Sequence, residues 1–280
     1  MHRRIQINGE NIGDGSPVYV IAEVGINHNG DLKIAEKLIR AAASAGANAV
    51  KFQTYITKKR VPESSPIYGI LKKCELSYKI QTDLKNFADA EGVTFFSTPF
   101  DIESVDFLAG LDVPAYKIAS FEIVNLALVR HIASVGKPVI ASRGMANCKE
   151  IDNAIQIMDA KLTPHALLHC VSAYPTALEN ASLKVIRSLL KAYECPVGYS
   201  DHTLGIKAPV FSVAVGAQII EKHFTLDKRM EGPDQSMSAN PLEMSEIVRN
   251  CREVESLLGD GKICRSEAEA KFTWLRRPSE

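Results

Sequence analysis

Short apolar segments alternate with amphipathic segments along almost the whole chain. Each apolar segment is followed by polar or glycine residues and then by a stretch with helical periodicity. Apolar strands that alternate with helices predict a parallel sheet covered by helices. Eight such units are the number found in a closed (β/α)8 barrel. The eight candidate strands are VYVIAEV (18–24), NAVKFQ (48–53), VTFFST (93–98), AYKIAS (115–120), KPVIAS (137–142), HALLHCVS (165–172), CPVGYS (195–200) and QIIEKHF (218–224).

An open, doubly wound sheet is the competing interpretation of the same alternation. Such a sheet normally carries a G-x-G-x-x-G phosphate-binding turn after its first strand. The segment AEVGINHNG, which follows the first apolar run, does not have that spacing. Asp31, just beyond it, is a candidate N-cap for a helix that continues to about Ala45. We therefore predict an α/β fold of the (β/α)8 TIM-barrel class.

The N-terminal segment RRIQINGENIG has alternating apolar positions around Asn8-Gly9, which is typical of a β-hairpin. A chain of 280 residues is within the size at which a TIM barrel folds as one unit. We predict a single TIM-barrel domain over residues 1–280. Its hairpin, at 4–16, is expected to pack outside the barrel, across the N-terminal mouth, and a C-terminal tail covers 259–280.

The charge composition of the chain limits the kinds of partner that it is expected to bind. Lysine plus arginine equal aspartate plus glutamate at 33 each, so no net charge favours a nucleic acid or an anionic membrane. The N-terminus lacks the apolar core of a secretory signal, and no apolar stretch is long enough to span a bilayer. The six cysteines form no C-x-x-C pair and are typical of reduced thiols in a cytoplasmic protein. A small anionic metabolite stays possible, because it needs only a local cluster of charge.

Polar side chains follow nearly every candidate strand. The C-terminal ends of the strands are where a TIM barrel carries its catalytic residues. A single lysine at a strand end is most often an ion-paired structural residue. Lysines on three separate strands, together with hydroxyl groups, instead predict a phosphate pocket. The strand-end residues are Glu23, Asn27, His28, Lys51, Gln53, Thr98, Lys117, Ser120, Glu122, Ser142, Arg143, Ser172, Tyr174, Ser200, Asp201, His202, Lys222 and His223.

Two histidines, His202 and His223, lie 21 residues apart, which is one strand–helix unit. In a barrel this spacing places both imidazoles at the ends of adjacent strands. Neutral imidazoles near carboxylates suit Mn²⁺, Zn²⁺ or another divalent cation. The alternative is that His223 hydrogen-bonds Asp201 with no metal, and spacing alone leaves both interpretations open. His169, in the middle of a candidate strand, is expected to be a hydrogen-bonded core histidine.

The chain resembles the sialic acid synthase family from about residue 16 to about residue 260. The motifs that carry the resemblance are AEVGINHNGDLKIAEKLIRAAASAGANAVKFQTY, FFSTPFD, VPAYKIASFEI, GKPVIASRGMA, HCVSAYPT, GYSDHT and EKHFTLDKRMEGPD. That family comprises N-acetylneuraminate, legionaminate and pseudaminate synthases. The resemblance implies a transferase that condenses phosphoenolpyruvate with an N-acetylated amino sugar to a nine-carbon 2-keto acid and phosphate. It also implies a divalent metal ion, Mn²⁺ or Mg²⁺, and a homodimer.

The resemblance carries roles over to individual residues. Glu122 matches the glutamate that acts on the attacking water or the cationic centre, and Glu23, also expected to be catalytic, matches a group at the sugar. His202 and His223 match the metal ligands. The phosphoenolpyruvate-binding residues are expected to be Lys51, Thr98, Lys117, Ser120 and Ser200. The other residues expected to contact the sugar are Gln53, Tyr174 and Asp234.

Two departures from the family pattern and one conflict between motifs leave the acceptor sugar open. The chain reads GPDQ at 232–235 where many members read GPDH, and Arg143 stands where members commonly have threonine. SFEI resembles the pseudaminate synthases, whereas LDKRMEGPD resembles the legionaminate and neuraminate synthases. Family members usually continue into an antifreeze-protein-like domain that covers a partner subunit's site and supplies an arginine. This chain ends at LRRPSE, so the resemblance is to the catalytic barrel without that domain.

A barrel of this kind with an open mouth is expected to bind phosphoenolpyruvate but to turn over slowly. A long polar segment at 54–79 is a candidate functional loop that could cover the mouth. Its cations are expected to be solvated, although they offer a replacement for the missing arginine: Lys58, Lys59, Arg60, Lys72 and Lys73. A non-catalytic or regulatory paralogue, or another metal-dependent TIM-barrel aldolase, are the alternatives to a synthase.

Overall fold

Eight parallel strands close into a barrel in the computed structural model, which describes residues 3–277. Each strand pairs with the next along the chain, and the last strand returns to the first, with His223 opposite Glu23. This confirms the predicted TIM barrel and excludes the open sheet. The barrel strands are β3 (Tyr19–Gly25), β4 (Ala49–Thr54), β5 (Thr94–Pro99), β6 (Tyr116–Ile118), β7 (Val139–Ser142), β8 (His165–His169), β9 (Val197–Asp201) and β10 (Ile219–His223).

Helices follow the barrel strands, and most of the longer ones begin at polar capping residues. The Asp31 carboxylate accepts from the backbone N–H groups of Lys33 and Ile34, as its predicted N-cap role requires. Asn147 and Glu150 form a capping box at another helix. None of the helices within residues 3–277 is long and apolar enough to cross a membrane. The helices are α1 (Leu32–Ser44), α2 (Thr57–Arg60), α3 (Tyr68–Cys74), α4 (Tyr78–Ala90), α5 (Ile102–Gly110), α6 (Leu126–Ser134), α7 (Cys148–Ala160), α8 (Lys184–Ala192), α9 (Lys207–Ala214), α10 (Pro241–Leu258) and α11 (Glu267–Ala270).

Two hydrophobic cores lie on the two faces of the barrel wall, because successive strand residues point to opposite faces. The larger core lies between the strands and the surrounding helices and contains, for example, Val20, Val50 and Tyr199. The smaller core fills the barrel interior. Its strand residues are Tyr19, Ile21, Ala49, Phe96, Ala115, Ile140, Ala166, Leu168 and Ile219. The next inward positions toward the C-terminal ends of the strands are largely polar, and this change of polarity is where the candidate site begins.

The N-terminal hairpin closes the opposite end of the barrel. Strands β1 (Arg4–Ile7) and β2 (Glu10–Gly13) pair antiparallel through a turn in which Asn8 and Gly9 both have positive φ. Three isoleucines of the hairpin are buried in the same core as the interior strand residues: Ile5, Ile7 and Ile12. The predicted hairpin is confirmed, and it packs across the N-terminal mouth.

The segment 54–79 is folded rather than an extended loop. It contains α2 and α3, and it has a small core of its own with residues that follow β3 and β5. Tyr55 and Leu71 pack there with Phe100, and the Tyr55 hydroxyl donates to the Leu71 carbonyl at 2.9 Å. The segment therefore covers one side of the C-terminal mouth.

Candidate active site

A cavity of about 460 Å³ lies at the C-terminal ends of the barrel strands. This volume is within the range of small-molecule sites. Of the twelve residues that the sequence predicts for the site, eleven line the cavity: Glu23, Lys51, Gln53, Thr98, Lys117, Ser120, Tyr174, Ser200, His202, His223 and Asp234. The barrel therefore brings together side chains that are up to about two hundred residues apart in the chain, as parallel strand ends must.

Four buried charges form the floor of the cavity. Lys51 Nζ lies 2.7 Å from Glu23 Oε2 and 3.6 Å from Glu221 Oε2. Lys117 Nζ lies 3.8 Å from the other oxygen of Glu221, which also accepts from the Ser200 hydroxyl at 2.9 Å. All these side chains come from inward positions of different strands. The floor therefore carries two ammonium groups that share one carboxylate.

The pKa values of these groups follow from burial and from the opposite charges. Burial opposes the ionisation of Glu221, but the charges of Lys117 and Lys51 outweigh it and lower its pKa to about 2. Burial raises the pKa of Glu23 to about 7, against the charge of Lys51. Burial also lowers the pKa of Lys117, whereas Glu221 and Glu23 outweigh burial at Lys51 and raise its pKa. Glu23 is thus the floor group most ready to exchange a proton near neutral pH.

Hydroxyl groups on neighbouring strands surround the two lysines. Lys51 Nζ donates to Thr98 Oγ1 at 3.0 Å, and Lys117 Nζ donates to Ser142 Oγ at 2.6 Å. The hydroxyls of Ser120 and Ser172 are hydrogen-bonded to each other at 2.9 Å. Ammonium groups with adjacent hydroxyls are the donors that phosphate and carboxylate groups bind. The floor can therefore bind a small molecule that carries both.

The two predicted metal ligands lie side by side, with their ring centroids 5.6 Å apart. His202 Nδ1 contacts the Val171 carbonyl oxygen at 2.7 Å, so this nitrogen carries the proton and Nε2 is a free acceptor. His223 Nδ1 is buried and has no hydrogen-bond partner within residues 3–277. Burial lowers the pKa of His202 to about 4 and that of His223 to about 3, so both rings are neutral at pH 7.

Neutral imidazoles with unused lone pairs fit a divalent cation. Asp234 Oδ2 lies 3.9 Å from His223 Nδ1, at the edge of the same space. No group of three or more histidine, cysteine or acidic side chains is placed to bind a metal in the part of the chain that the structure describes. A cation bound by His202 and His223 would accordingly keep coordination positions for water or substrate.

Lys222 lies on the other face of the barrel wall, and this corrects the expectation that three lysines form the pocket. Its Nζ is buried 2.6 Å from Asp201 Oδ2 and also donates to the Thr203 carbonyl. Asp201 accepts from Lys222 and from the Thr203 backbone N–H, and no hydrogen bond joins it to His223 within residues 3–277, so the alternative of a His223–Asp201 hydrogen bond is not observed. Only Lys51 and Lys117 of the three lysines line the cavity.

Glu122 is the one predicted site residue that does not line the cavity. It lies in the turn after β6, where its Oε2 accepts from Asn125 Nδ2 at 2.8 Å. Asn125 in turn caps α6 by accepting from the Leu128 backbone N–H. In this conformation the Glu122 carboxylate belongs to the helix cap rather than to the floor.

Two charged residues of the cavity were not predicted as site residues. Glu221 lies at the centre of the floor, and Arg60 lies in the wall. A carboxylate inside the apolar run QIIEKHF was a visible signal for Glu221. Arg60 belongs to the segment 54–79, whose cations were expected to be solvated, and only the folded structure shows its position.

The outer half of the cavity combines polar groups with an apolar wall. The Tyr174 ring lies over His202 with its centroid 4.2 Å away, and Gln53, Arg60 and Asp234 face the same space. Burial raises the pKa of Asp234, against the charge of Arg60. The apolar wall consists of Ile26, Ile67, Ile70, Leu71, Phe100, Ala119, Phe121 and Pro233. Such a surface suits a small molecule that has both polar and apolar groups.

Residues 38–263 of the chain match the NeuB family. Among curated proteins, an uncharacterized protein of Methanocaldococcus jannaschii is 46% identical over 260 residues, which are 92% of this chain and 77% of that protein. The N,N'-diacetyllegionaminic acid synthase of Legionella pneumophila is 41% identical over 286 residues, covering 95% of this chain and 80% of its own.

A solved structure matches the whole barrel. It is the N-acetylneuraminic acid (sialic acid) synthetase of Leptospira borgpetersenii serovar Hardjo-bovis in complex with citrate. The two chains superpose with a TM-score of 0.95 at 40% sequence identity, over 99% of this chain and 97% of the other. This agreement extends beyond the barrel strands, because so high a coverage includes the hairpin and the loops of the mouth.

Proposed function

The chain belongs to the NeuB family, and on that premise we propose that it is a synthase of nonulosonic acids. In the proposed reaction C3 of phosphoenolpyruvate attacks the aldehyde carbon of an open-chain N-acetylated amino sugar. The new C–C bond forms there, and the aldehyde oxygen takes up a proton. Water adds to C2 and loses both protons, one of which balances the proton taken up by the aldehyde oxygen, so that its oxygen becomes the keto group. The bond between C2 and the bridging oxygen breaks, and that oxygen and the bonding electron pair leave with inorganic phosphate, which takes the other proton. The organic product is a nine-carbon 2-keto sugar acid.

The observation that carries the proposal is the floor of the cavity. Lys51 and Lys117 both face the carboxylate of Glu221, and Glu23 pairs only with Lys51, so an incoming dianion finds two ammonium groups within one site. Thr98, Ser120, Ser142 and Ser200 add hydroxyls around them. Phosphoenolpyruvate carries a phosphate and a carboxylate on adjacent groups, and this floor supplies donors to both.

His202 and His223 would hold the divalent cation, Mn²⁺ or Mg²⁺, in this proposal. When bound, the cation would polarise the aldehyde oxygen of the acceptor sugar. The imidazoles are suited to this because both are neutral at pH 7 and His223 Nδ1 has no hydrogen-bond partner within residues 3–277. Gln53, Tyr174 and Asp234 line the adjacent outer half of the cavity and would bind the sugar hydroxyls.

Two carboxyl groups are candidates for proton transfer. Glu23 lies on the floor with a pKa raised to about 7 by burial, so it can give and accept a proton in the working range. Glu122 would act on the water at C2 only after its carboxylate leaves Asn125 and turns into the cavity. Its catalytic role is a prediction of the resemblance.

Phosphate release from phosphoenolpyruvate tests the proposal directly. The assay would contain Mn²⁺ or Mg²⁺ and a panel of mono- and di-N-acetylated hexoses. We expect phosphate release that depends on one acceptor class. No phosphate release with any acceptor would instead indicate a non-catalytic binding paralogue. Trapping with borohydride and pyruvate should give no adduct, because the proposed reaction has no Schiff base.

The variant His223→Ala tests the metal site separately. We expect it to lose bound metal and turnover while its far-ultraviolet circular dichroism stays unchanged. Retention of both metal content and turnover would show that the histidines have another role. Sedimentation analysis in the same buffers would measure whether the chain forms the homodimer that the resemblance implies.

A further inference from the structure

Arg60 reaches the cavity from α2 and is held there by aromatic rings. Its guanidinium carbon lies 3.6 Å from the centroid of the Phe100 ring and 4.7 Å from that of the Tyr55 ring. Cations within about 6 Å of an aromatic centroid are attracted to the ring face. No carboxylate lies within 4.0 Å of Arg60 among residues 3–277. The guanidinium is therefore oriented by stacking rather than by an acid.

The same guanidinium determines the orientation of the Gln53 side chain. Arg60 Nη1 donates to Gln53 Oε1 at 2.9 Å. A guanidinium has donors only, so the amide atom that faces it must be the oxygen. The NH₂ group of Gln53 then lies at the β3 side of the cavity, 3.5 Å from the position that a Cβ on Gly25 would occupy. An unconstrained amide could present either its oxygen or its NH₂ group there.

We propose that Arg60 is a positioning residue that acts through Gln53. It fixes the Gln53 amide so that the cavity presents an N–H donor, and the acceptor sugar supplies an oxygen to it. The acceptor is thereby selected for a hydroxyl or acyl oxygen at this point and against an N–H or ammonium group. The identity of the ligand in this inference rests on the proposed function. The Arg60–Gln53 contact is independent of that function.

Kinetics of three single variants separate this role from a merely structural one. Arg60→Ala is expected to raise the KM for the acceptor about tenfold and to change the KM for phosphoenolpyruvate by less than about twofold. Arg60→Lys should recover part of the loss, because an ammonium also donates only. Lys58→Ala is the matched control, since Lys58 is on the same short helix, 3.7 Å from Glu63 and outside the cavity. It should behave as wild type.

The double variant tests whether Arg60 acts through Gln53. If it does, Arg60→Ala combined with Gln53→Ala should raise the acceptor KM no more than about twofold beyond Gln53→Ala alone. If the fold-changes in acceptor KM of the two single variants multiply in the double variant, Arg60 contacts the acceptor independently of Gln53. That result would overturn the proposal. A loss that falls equally on both substrates, or no loss in Arg60→Ala, would also overturn it.

A measurement without turnover keeps the inference separate from the proposed function. The side-chain NH₂ resonances of Gln53 can be assigned by their disappearance in Gln53→Ala. We expect them to shift in Arg60→Ala, to stay in place in Lys58→Ala, and to shift when an N-acetylated hexose of the panel is added to wild type. Resonances that do not move in Arg60→Ala would refute the proposal. Should no acceptor support turnover while these resonances still move in Arg60→Ala, the function is wrong and the amide-positioning role stands.

Discussion

Two lysines at the floor of the cavity have different neighbours. Lys51 lies between two carboxylates, Glu23 at 2.7 Å and Glu221 at 3.6 Å. Lys117 has Glu221 at 3.8 Å, and its close acceptors are neutral: Ser142 Oγ at 2.6 Å and the Ile118 carbonyl at 3.1 Å. Lys117 is accordingly the less compensated cation. An incoming phosphate or carboxylate gains most from the charge that has the weakest partner.

We predict that Lys117→Ala raises the apparent KM for phosphoenolpyruvate. A charge-assisted contact of about 1.5–3 kcal/mol corresponds to a factor of about ten or more. The KM is measured by phosphate release at saturating acceptor. Lys222→Ala is not a suitable control because it leaves Asp201 buried and unpaired, so we compare with the exposed Lys58→Ala. An unchanged KM would show that Lys117 does not bind phosphoenolpyruvate and serves only as a structural ion-pair partner of Glu221.

His169 has the core role that the sequence predicts, and its hydrogen bonds define its tautomer. Arg143 Nη2 donates to Nδ1 at 3.1 Å, so Nε2 carries the proton and donates to the Ala181 carbonyl at 2.8 Å. Burial lowers the pKa of His169 to about 4, helped by the charge of Arg143. In the unfolded chain the imidazole titrates at its ordinary pKa of about 6.5.

We predict that His169 makes the protein less stable in acid. As the pH falls through 6.5, His169 becomes protonated in the unfolded chain but stays neutral in the folded state until about pH 4. The free energy of unfolding therefore decreases as the pH falls below 6.5. Between pH 7 and pH 5 the loss is about 2 kcal/mol, from 1.36 kcal/mol per pKa unit. Urea denaturation at both pH values measures it. His169→Gln keeps a donor for Ala181 and an acceptor for Arg143, so it should reduce the pH dependence by that amount; an equal dependence would contradict the assignment.

The loop between β7 and α7 approaches the site through a glycine. Gly144 has φ +44°, and a Cβ on it would stand 2.2 Å from Ser120 Cβ and 2.8 Å from Ser172 Oγ. These two serines are hydrogen-bonded to each other, and Ser120 lines the cavity. The loop can therefore reach the floor only where it has no side chain.

We predict that Gly144→Ala damages phosphoenolpyruvate binding more than stability. The added methyl must displace Ser120, and the KM for phosphoenolpyruvate should rise about tenfold, as for loss of one charge-assisted contact. Gly136→Ala is the control: its φ is +78°, its Cβ would meet nothing within 4 Å, and it precedes the same strand. Both variants carry the backbone strain of about 1–2 kcal/mol, which thermal denaturation measures. Equal KM values in the two would contradict the packing argument.

The elements could be predicted from the sequence because the barrel strands are largely apolar and most of the longer helices begin at a capping residue. The orientation of single residues within β10 could not. Ile219 and Ile220 are both apolar because a parallel strand is buried on both faces, so the pattern does not say whether Glu221 or Lys222 points inward. The structure shows the orientation: Lys222 forms an ion pair with Asp201 on the outer face of the barrel wall, and Glu221 points inward to the floor of the cavity.

Arg60 and Glu122 were beyond sequence reasoning for a different reason. Arg60 depends on Phe100, which is 40 residues away and meets it only after the segment 54–79 has folded. Glu122 follows the three-residue strand β6, and its side chain hydrogen-bonds Asn125 at the start of α6. Proximity to a strand end predicts which loop a residue belongs to, but it does not predict which way a turn directs the side chain.

At the scale of the whole molecule, the hairpin and the site lie at opposite ends of one barrel. Ile7 is fully buried in the interior core, whereas Gln6, its neighbour on β1, is exposed. The polar floor begins beyond that core, so the apolar packing of the barrel interior lies at one end and the binding groups at the other.

We predict that Ile7→Ala lowers the free energy of unfolding by about 2–5 kcal/mol, the usual cost of truncating a buried isoleucine. It should leave the KM for phosphoenolpyruvate unchanged, since the change is made at the far end of the barrel. Urea denaturation and phosphate release measure the two quantities. Gln6→Ala should alter stability by no more than about 0.5 kcal/mol. A large rise in KM for Ile7→Ala would show that the two ends are coupled.

Because the hairpin fills the N-terminal end, the described residues leave the cavity accessible only from the C-terminal mouth. This single entrance constrains the order in which ligands bind and leave. Whatever binds at Lys51 and Lys117 lies beneath whatever binds beside Gln53 and Asp234. In the proposed reaction we therefore expect phosphoenolpyruvate to bind before the sugar, and phosphate to leave after the sugar acid. Initial-rate kinetics should show a compulsory sequence, with phosphate competitive against phosphoenolpyruvate. A random sequence would mean that the mouth widens during each turnover.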